Sequence, residues 1–257
     1  DHSIDLGVRY SPELHGLFSN ERLVIAADCR LDPDQGLYQE LSSFNEPLKP
    51  EKFLAAAYSK WGDDLARHIS GEFAFAIWDK LDRKLTCARD RFGQKPLSYI
   101  LRPEGLYIAS DFLPLAAALG HNLSINDSWV IEYLNGVAAD QNSTPFNGVN
   151  RLPPGCVLKW QDRDAKIHKY WSFSQIEPTV DRVSIEEISE ALESAVAKRM
   201  YGAGTAAMLS GGLDSSSIAV LARDLCRKRG NGELLSVSLV LDEFPDKSER
   251  PYIEAIL

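Results

Sequence analysis

The chain has 257 residues, enough for two domains, and its 44% hydrophobic and 25% charged residues are typical of a globular protein. A net charge of −9 opposes general affinity for nucleic acid, and no apolar run approaches the roughly eighteen residues of a membrane-spanning helix. We therefore expect a cytoplasmic protein that has neither nucleic acid nor a membrane as its partner.

The chain begins at Asp1 without an initiator methionine, so we expect further residues upstream. Its four cysteines are far apart, which argues against a zinc site of the Cys-x₂-Cys type. Each one lies in an apolar or mixed segment, so we predict four buried, small hydrophobic side chains. They are Cys29, Cys87, Cys156 and Cys226.

The first part of the chain mixes β-hairpins with helices. Gly71–Asp79 alternates large and small residues, which predicts a strand packed on both faces, and residues 84–89 return antiparallel to it. Such a mixture is typical of an α+β sandwich. The other predicted elements are a strand at 23–27, helices at 50–61, 63–69, 112–118 and 127–134, a hairpin at 97–101 and 106–109, and a strand at 156–160.

Residues 172–182 show no regular pattern, which marks a domain boundary. We predict one domain at 1–172, a linker at 173–183 and a second domain at 184–257. Ser184 and Glu187 form a capping box that begins a helix, whose predicted apolar stripe is Ile188, Leu192, Ala195 and Val196.

Beyond this helix, the chain predicts a strand at 206–209, a helix, and a buried strand at 234–241. Such a unit begins a Rossmann-like parallel sheet. Because such a sheet needs more strands, we expect the second domain to be incomplete at Leu257.

The segment Ser210-Gly-Gly-Leu-Asp-Ser-Ser216 joins that first strand to the helix. Its two glycines allow a sharp turn and leave no side chain between the backbone N–H groups and a ligand. The serine hydroxyls and the positive end of the helix converge on the same spot, which suits a phosphate. Asp214 would repel that phosphate unless a cation lay between them, so we predict that Asp214 binds Mg²⁺. The alternative is a tight turn with a helix cap.

This segment resembles the SGGxDS loop of the ATP pyrophosphatase superfamily. Together with Glu72–Asp79, Ala88–Leu97, Tyr107–Ser110 and Leu152–Gly155, it matches the order and spacing of asparagine synthetase B. The resemblance covers nearly the whole chain. It implies a four-layer αββα sandwich of the class II, Ntn-type glutamine amidotransferase fold, followed by an α/β Rossmann-like ATP pyrophosphatase domain.

The resemblance also implies ATP and Mg²⁺ as cofactors. The pyrophosphate would be held by Ser210, Gly211, Gly212, Asp214, Ser215 and Ser216. In the family, adenine packs against the flanking strands, which points to Met208, Leu209 and Leu239; the alternative for these three is a place in the core. A second magnesium carboxylate and the cationic catalytic residue are expected beyond Leu257.

The chain departs from the family at the glutaminase. The family uses an amino-terminal cysteine as nucleophile, whereas this chain begins with Asp1. We align Ala27-Asp28-Cys29 with the family's Asn-Gly-Glu, and Leu48-Lys49-Pro50 with its Gly-Ser-Asp. Loss of an oxyanion donor raises a barrier by about 3 kcal/mol. We therefore predict that the first domain is a scaffold that makes no ammonia, with Arg89-Asp90 and residues 93–96 as a salt-linked turn.

These features predict an ATP-dependent amide-bond synthetase that releases AMP and pyrophosphate. Two family branches, β-lactam synthetases and lasso-peptide macrolactam cyclases, use an amine of the substrate itself, and residues 242–257 look more like the lasso cyclases. The leading hypothesis is a cyclase that adenylates a side-chain carboxyl of a precursor peptide. Its substrate would be a peptide or an amino-acid-like carboxylate, and its partner a leader-peptide-binding protein or protease. The alternatives are a glutamine-hydrolysing asparagine synthetase and a non-catalytic peptide-binding protein.

Overall fold

The chain forms two compact units, residues 1–177 and residues 178–257, which are described separately. The computed structural model describes residues 15–32, 49–119, 123–137, 140–176, 183–200, 204–230, 232–241, 243–244 and 248–257. Three predictions fall outside these segments in whole or in part: the terminal Asp1, the aligned Leu48, and residues 177–182 of the linker. Residues 242 and 245–247 of the lasso-like run also lie outside them.

Unit 1 is built on a six-stranded antiparallel sheet. In spatial order its strands are β1 (His15–Ser19), β2 (Leu23–Leu31), β3 (Gly71–Asp79), β4 (Lys84–Arg89), β8 (Cys156–Gln161) and β9 (Asp164–Lys169). In β2 every second residue is buried, the period of a strand with one face on a core. Seven consecutive residues of β3 are buried, so its prediction as a strand packed on both faces is confirmed.

A smaller sheet covers one face of the large one. Its strands, in spatial order, are β6 (Gly105–Ala109), β5 (Ser98–Arg102) and β7 (Asn150–Arg151). Leu97, Tyr99 and Leu106 from this side pack against Ala76 and Trp78 of β3. The space between the sheets is therefore one of the two main cores of unit 1.

Helices cover the outer faces. α1 (Pro50–Trp61) and α2 (Leu65–His68) bury Phe53, Leu54 and Leu65 against the large sheet. α3 (Phe112–Leu119) packs Leu115 against Ile100 of the small sheet, and α4 (Asp127–Leu134) follows it in the chain. The layers run helix, sheet, sheet, helix, so the predicted αββα sandwich is confirmed.

The turn after β4 is held by hydrogen bonds between two charged side chains and the backbone. The guanidinium group of buried Arg89 donates to the carbonyl oxygens of Lys95 (2.7 Å), Leu152 (2.8 Å) and Gly93 (2.6 Å). The Asp90 carboxylate accepts from three backbone N–H groups, including that of Lys95 at 2.9 Å. Arg89 and Asp90 are thus each neutralised by peptide dipoles, and the salt link of this turn runs instead from Lys95 to Asp28 of β2, 2.7 Å apart.

Unit 2 contains a parallel strand pair joined by a helix. Its elements are α5 (Ile185–Arg199), β10 (Ala206–Met208), α6 (Leu213–Arg229), β11 (Leu235–Val237) and α7 (Arg250–Glu254). The capping box predicted at Ser184 and Glu187 is present, and β10 pairs in parallel with β11. The strand–helix–strand unit is confirmed, and the larger Rossmann-like sheet stays a prediction.

Two predictions for unit 2 are wrong in extent. The second strand covers three residues rather than 234–241, and its Leu235 side chain is 65% exposed. On α5 only Val196 of the apolar stripe is buried, while Ile188 remains exposed. The reason is that the described residues supply only two strands here, so no layer covers those faces.

All four cysteines are buried and unbridged, as predicted. Within the described segments, no helix combines the length and apolar character needed to cross a membrane.

Candidate functional site

The glycine-serine loop lies between β10 and α6, as the sequence predicts. The amide of Leu209, at the end of β10, donates to the Val237 carbonyl at 2.9 Å and so extends the strand pair to the start of the loop. Ser210 and Ser215 then share a hydroxyl–hydroxyl hydrogen bond of 2.9 Å across the turn. The Ser215 Oγ also accepts from the Ser210 amide at 3.2 Å. Two of the three predicted phosphate-binding serines are thus brought together.

Gly211 is the tightest point of the loop. Its φ of +80° lies in the left-handed region, which side chains disfavour. A Cβ placed there would stand 2.6 Å from the Tyr252 Cβ and 2.9 Å from the Ile253 amide nitrogen. The loop therefore rests directly against α7, a contact that the spacing of the motif did not reveal.

The start of α6 offers hydrogen-bond donors. Gly212 occupies the N-cap position, where it supplies no capping side chain. The first amides of a helix have no partner within the helix, and they carry its positive dipole end. Ser216 adds a hydroxyl: its side chain is buried, and its Oγ has no hydrogen-bond partner among the described residues. Such unused donors suit an anion of several oxygens.

Asp214 lies in the first turn of α6 and is exposed. No cluster of three or more potential metal ligands occurs in the described part of the chain. A single carboxylate still fits Mg²⁺, which takes many of its ligands from phosphate oxygens and water. Asp214 would be the protein ligand, and the ion would neutralise charge on the bound phosphates.

The three residues predicted to contact adenine have different environments. Met208 is 71% exposed and Leu239 is 78% exposed, so both side chains are accessible to a ligand. Leu209 is buried against Ala207, Ala219 and Ile253. Its side chain therefore occupies the core of unit 2, which was the alternative for this position.

In unit 1, the segment aligned with the glutaminase motif forms part of β2. Ala27 and Cys29 point into the helix-side core. Asp28 takes the opposite face, in register with Ala74 of the inter-sheet core. Its carboxylate lies 2.7 Å from the ammonium of Lys95, whose backbone is fixed by Arg89 and Asp90.

The Asp28–Lys95 ion pair was missed by the sequence reasoning. The two residues are 67 positions apart, and only the folding of the 90–96 turn onto β2 brings them together. The pair is partly buried and lies next to Ala27, the residue aligned with the asparagine of the Asn-Gly-Glu motif.

No described cysteine has the properties of an amidotransferase nucleophile. Burial, followed by the charges of Asp28 and Glu51, raises the pKa of Cys29 to about 12. Burial also raises the pKa values of Cys87 and Cys156. A thiol must ionise to attack, so these side chains are packing residues.

Two family models match the chain, the first within unit 1 and the second within unit 2. The glutamine amidotransferase domain matches residues 37–171, more than half of the chain, and the asparagine synthase domain matches residues 187–257. The chain belongs to the asparagine synthetase family.

Relatives in this family carry the corresponding names. A putative glutamine-hydrolysing asparagine synthetase from Mycobacterium bovis is 36% identical over 179 residues, which cover 66% of this chain and 28% of that protein. Glutamine-hydrolysing asparagine synthetase 3 from Bacillus subtilis is 26% identical over 222 residues, covering 81% of this chain and 36% of that protein. The chain thus spans about a third or less of the length of these two relatives.

Among solved structures, a glutamine phosphoribosylpyrophosphate amidotransferase from B. subtilis is similar to the chain. It is 16% identical with a TM-score of 0.42, covering 90% of this chain and 50% of that chain. A likeness at this level carries no inference about the site.

Proposed function

We propose that this member of the asparagine synthetase family is an ATP-dependent amide-bond synthetase that releases AMP and pyrophosphate. One observation carries the proposal. The Ser210–Ser216 loop combines an uncapped helix start with a buried Ser216 hydroxyl that has no partner among the described residues, inside the segment that matches the asparagine synthase domain.

The loop residues would act by binding and orientation. Amides at the start of α6 and the hydroxyls of Ser210, Ser215 and Ser216 would hold the β- and γ-phosphates of ATP. A substrate carboxylate would attack the α-phosphorus, and pyrophosphate would leave. An amine would then attack the acyl carbon, releasing AMP and a proton as the amide forms. Mg²⁺ bound by Asp214 would neutralise charge on the phosphates.

We further propose that the amine comes from the substrate rather than from glutamine. The Ala27-Asp28-Cys29 segment supports this source, because the buried Ala27 side chain supplies no amide where the aligned Asn-Gly-Glu motif has one. A substrate with a carboxyl and an amine in one molecule would close a ring. The finer proposal is therefore a macrolactam cyclase acting on a lasso precursor peptide, together with a leader-peptide-binding protein or protease.

The test is pyrophosphate release by the full-length protein, assayed separately with aspartate and with a linear peptide that bears a side-chain carboxyl and a free α-amine. We expect release with the peptide and an ATP-dependent loss of one water mass in the product. Stimulation by aspartate alone would refute the cyclase proposal.

Two aspartates on α6 allow a matched comparison. Asp214→Asn should lower pyrophosphate release by at least about a hundredfold, the scale of a lost electrostatic contact to a transition state. Asp224→Asn lies on the same helix, where Asp224 pairs with Arg223 on the surface, and should leave the rate unchanged. If both variants kept full activity, the chain would be the non-catalytic binding protein instead.

The names of the relatives favour a second candidate, a glutamine-hydrolysing asparagine synthetase. It requires a nucleophilic cysteine outside the described residues. Ammonia release from glutamine, with asparagine formed from aspartate, would establish it.

A further inference from the structure

A cavity of about 340 Å³ lies in unit 1 and has no part in the chemistry above. Its lining residues are two tryptophans, from the strands on either side of β4, and three charged residues from the adjoining turns: Trp78, Trp160, Arg83, Asp162 and Arg163. Its volume falls within the range of small-molecule pockets, roughly 300–1,000 Å³.

The sheet register explains how the cavity forms. Trp78 pairs with Leu85, and Leu85 pairs with Trp160, so both indoles lie on the face toward the small sheet. Their ring centroids are 6.4 Å apart and tilted by 41°. The β3–β4 turn and the β8–β9 turn adjoin these rings, and Gln161 Nε2 links the turns by donating to the Asp82 carbonyl at 2.9 Å.

The cavity is separate from the Asp28–Lys95 region. Asp28 is in register with Ala74 on β3, and Trp78 lies four residues further along that strand. At about 3.3 Å per residue, this places them roughly 13 Å apart along the sheet.

The charges around the cavity are unpaired within the described residues. Arg83, Asp162 and Arg163 form no ion pair or side-chain hydrogen bond there, whereas neighbouring Asp79 and Asp82 both pair with Arg22. Trp160 Nε1 is buried and likewise lacks an acceptor in the described part of the chain. The cavity thus offers two cations and one carboxylate beside two aromatic rings.

The backbone of the second turn is also unusual. Asp162 and Arg163 both have positive φ, at +52° and +63°, in the two-residue connection between β8 and β9. Such turns favour asparagine followed by glycine. An arginine at the glycine position keeps a long cationic side chain at the cavity despite an unfavourable conformation.

We propose that this cavity binds an α-amino acid with an aromatic side chain. Its carboxylate would pair with Arg83 and Arg163, and its ammonium would pair with Asp162. The ring would pack against the two indoles. Asp162 would repel a ligand with only a negative charge, and the two arginines would repel one with only a positive charge. A zwitterion can pair with all three charged residues.

Calorimetric titration of the full chain tests the proposal. L-Phenylalanine should bind, and three analogues should each bind at least tenfold more weakly. These are 3-phenylpropanoate, which lacks the ammonium, 2-phenylethylamine, which lacks the carboxylate, and L-alanine, which lacks the ring.

Three variants assign the contacts. Arg163→Gln should weaken L-phenylalanine binding at least tenfold. Asp162→Asn, which keeps a residue tolerant of positive φ, should weaken L-phenylalanine but not 3-phenylpropanoate. Arg102→Gln, at an exposed arginine of the β5–β6 hairpin, is the matched control and should change nothing.

Circular dichroism of each variant verifies that the fold is retained. Absence of L-phenylalanine binding at millimolar concentration would overturn the proposal. Equal affinity for all four ligands, or unchanged binding in both cavity variants, would overturn it as well.

Discussion

Replacing Gly211 with alanine separates the two reasons for a glycine in the phosphate loop. The positive φ costs an alanine about 1–2 kcal/mol. The added Cβ would also meet the Tyr252 Cβ at 2.6 Å and the Ile253 amide at 2.9 Å, an overlap that costs about 1–3 kcal/mol as neighbouring atoms shift. We therefore expect Gly211→Ala to destabilise unit 2 by about 2–5 kcal/mol.

Two other glycines are matched controls for this substitution. Gly232 has the same φ of +80°, but nothing among the described residues would lie within 4 Å of a Cβ added to it, so Gly232→Ala should cost only about 1–2 kcal/mol. Gly212 has a φ of −71°, and the nearest atom to an added Cβ would be the Ser210 Oγ at 3.5 Å. Gly212→Ala should keep the stability within about 0.5 kcal/mol and still impair pyrophosphate release, because a methyl group would stand before the loop amides.

Hydrogen exchange measured by mass spectrometry on peptides covering β10 and α6 reports the stability of this unit. If Gly211→Ala accelerated exchange no more than Gly232→Ala did, α7 would not rest against the loop and the prediction would be wrong.

Three further predictions concern unit 1. Arg89→Ala leaves three carbonyl oxygens without their charged donor, so its free energy of unfolding, measured in urea by tryptophan fluorescence, should fall by about 3–5 kcal/mol. Arg89→Lys should lose less stability. Equal losses in the two variants would contradict the role of the guanidinium group. Burial acts to raise the pKa of Asp63, but hydrogen bonds from Lys84 and Lys159 outweigh it and hold the pKa below its ordinary value. The stabilisation by Asp63 is therefore complete above the unfolded pKa of about 3.9 and is lost as the pH falls through the folded pKa. The difference in melting temperature between wild type and Asp63→Asn should shrink in acid. A difference that stayed constant with pH would argue against the lowered pKa of Asp63. Cys29, with its pKa raised to about 12, should resist iodoacetamide in the native protein and react after unfolding in urea, whereas rapid native labelling would show an accessible thiol.

The elements of unit 1 were predictable because local signals and tertiary packing agree. Pro50 begins α1 and Gly62 ends it, as their backbone preferences require. The alternation in β3 reports two cores, and both are present. Where sequence period, turn residues and burial point the same way, the fold follows from the chain.

Features that depend on distant contacts were not predictable. Nothing near Lys95 in the sequence indicates that it meets Asp28, and nothing near Gly211 indicates that α7 lies against it. In β11 the apolar run favoured a long buried strand, but burial requires a covering layer that the described residues do not provide. The loop motif itself was recognisable because its chemistry depends on adjacent residues.

The outer strand β9 has a consequence for how copies of this protein meet. An edge strand presents unpaired backbone groups to which another chain can add its own strand. Along β9, Lys166 and Lys169 are exposed, and Lys166 faces Asp164 on the same strand at 3.2 Å. Charged side chains on an edge strand, lysines above all, are one of the features that discourage strand-by-strand aggregation, and β9 carries them on this side of the large sheet.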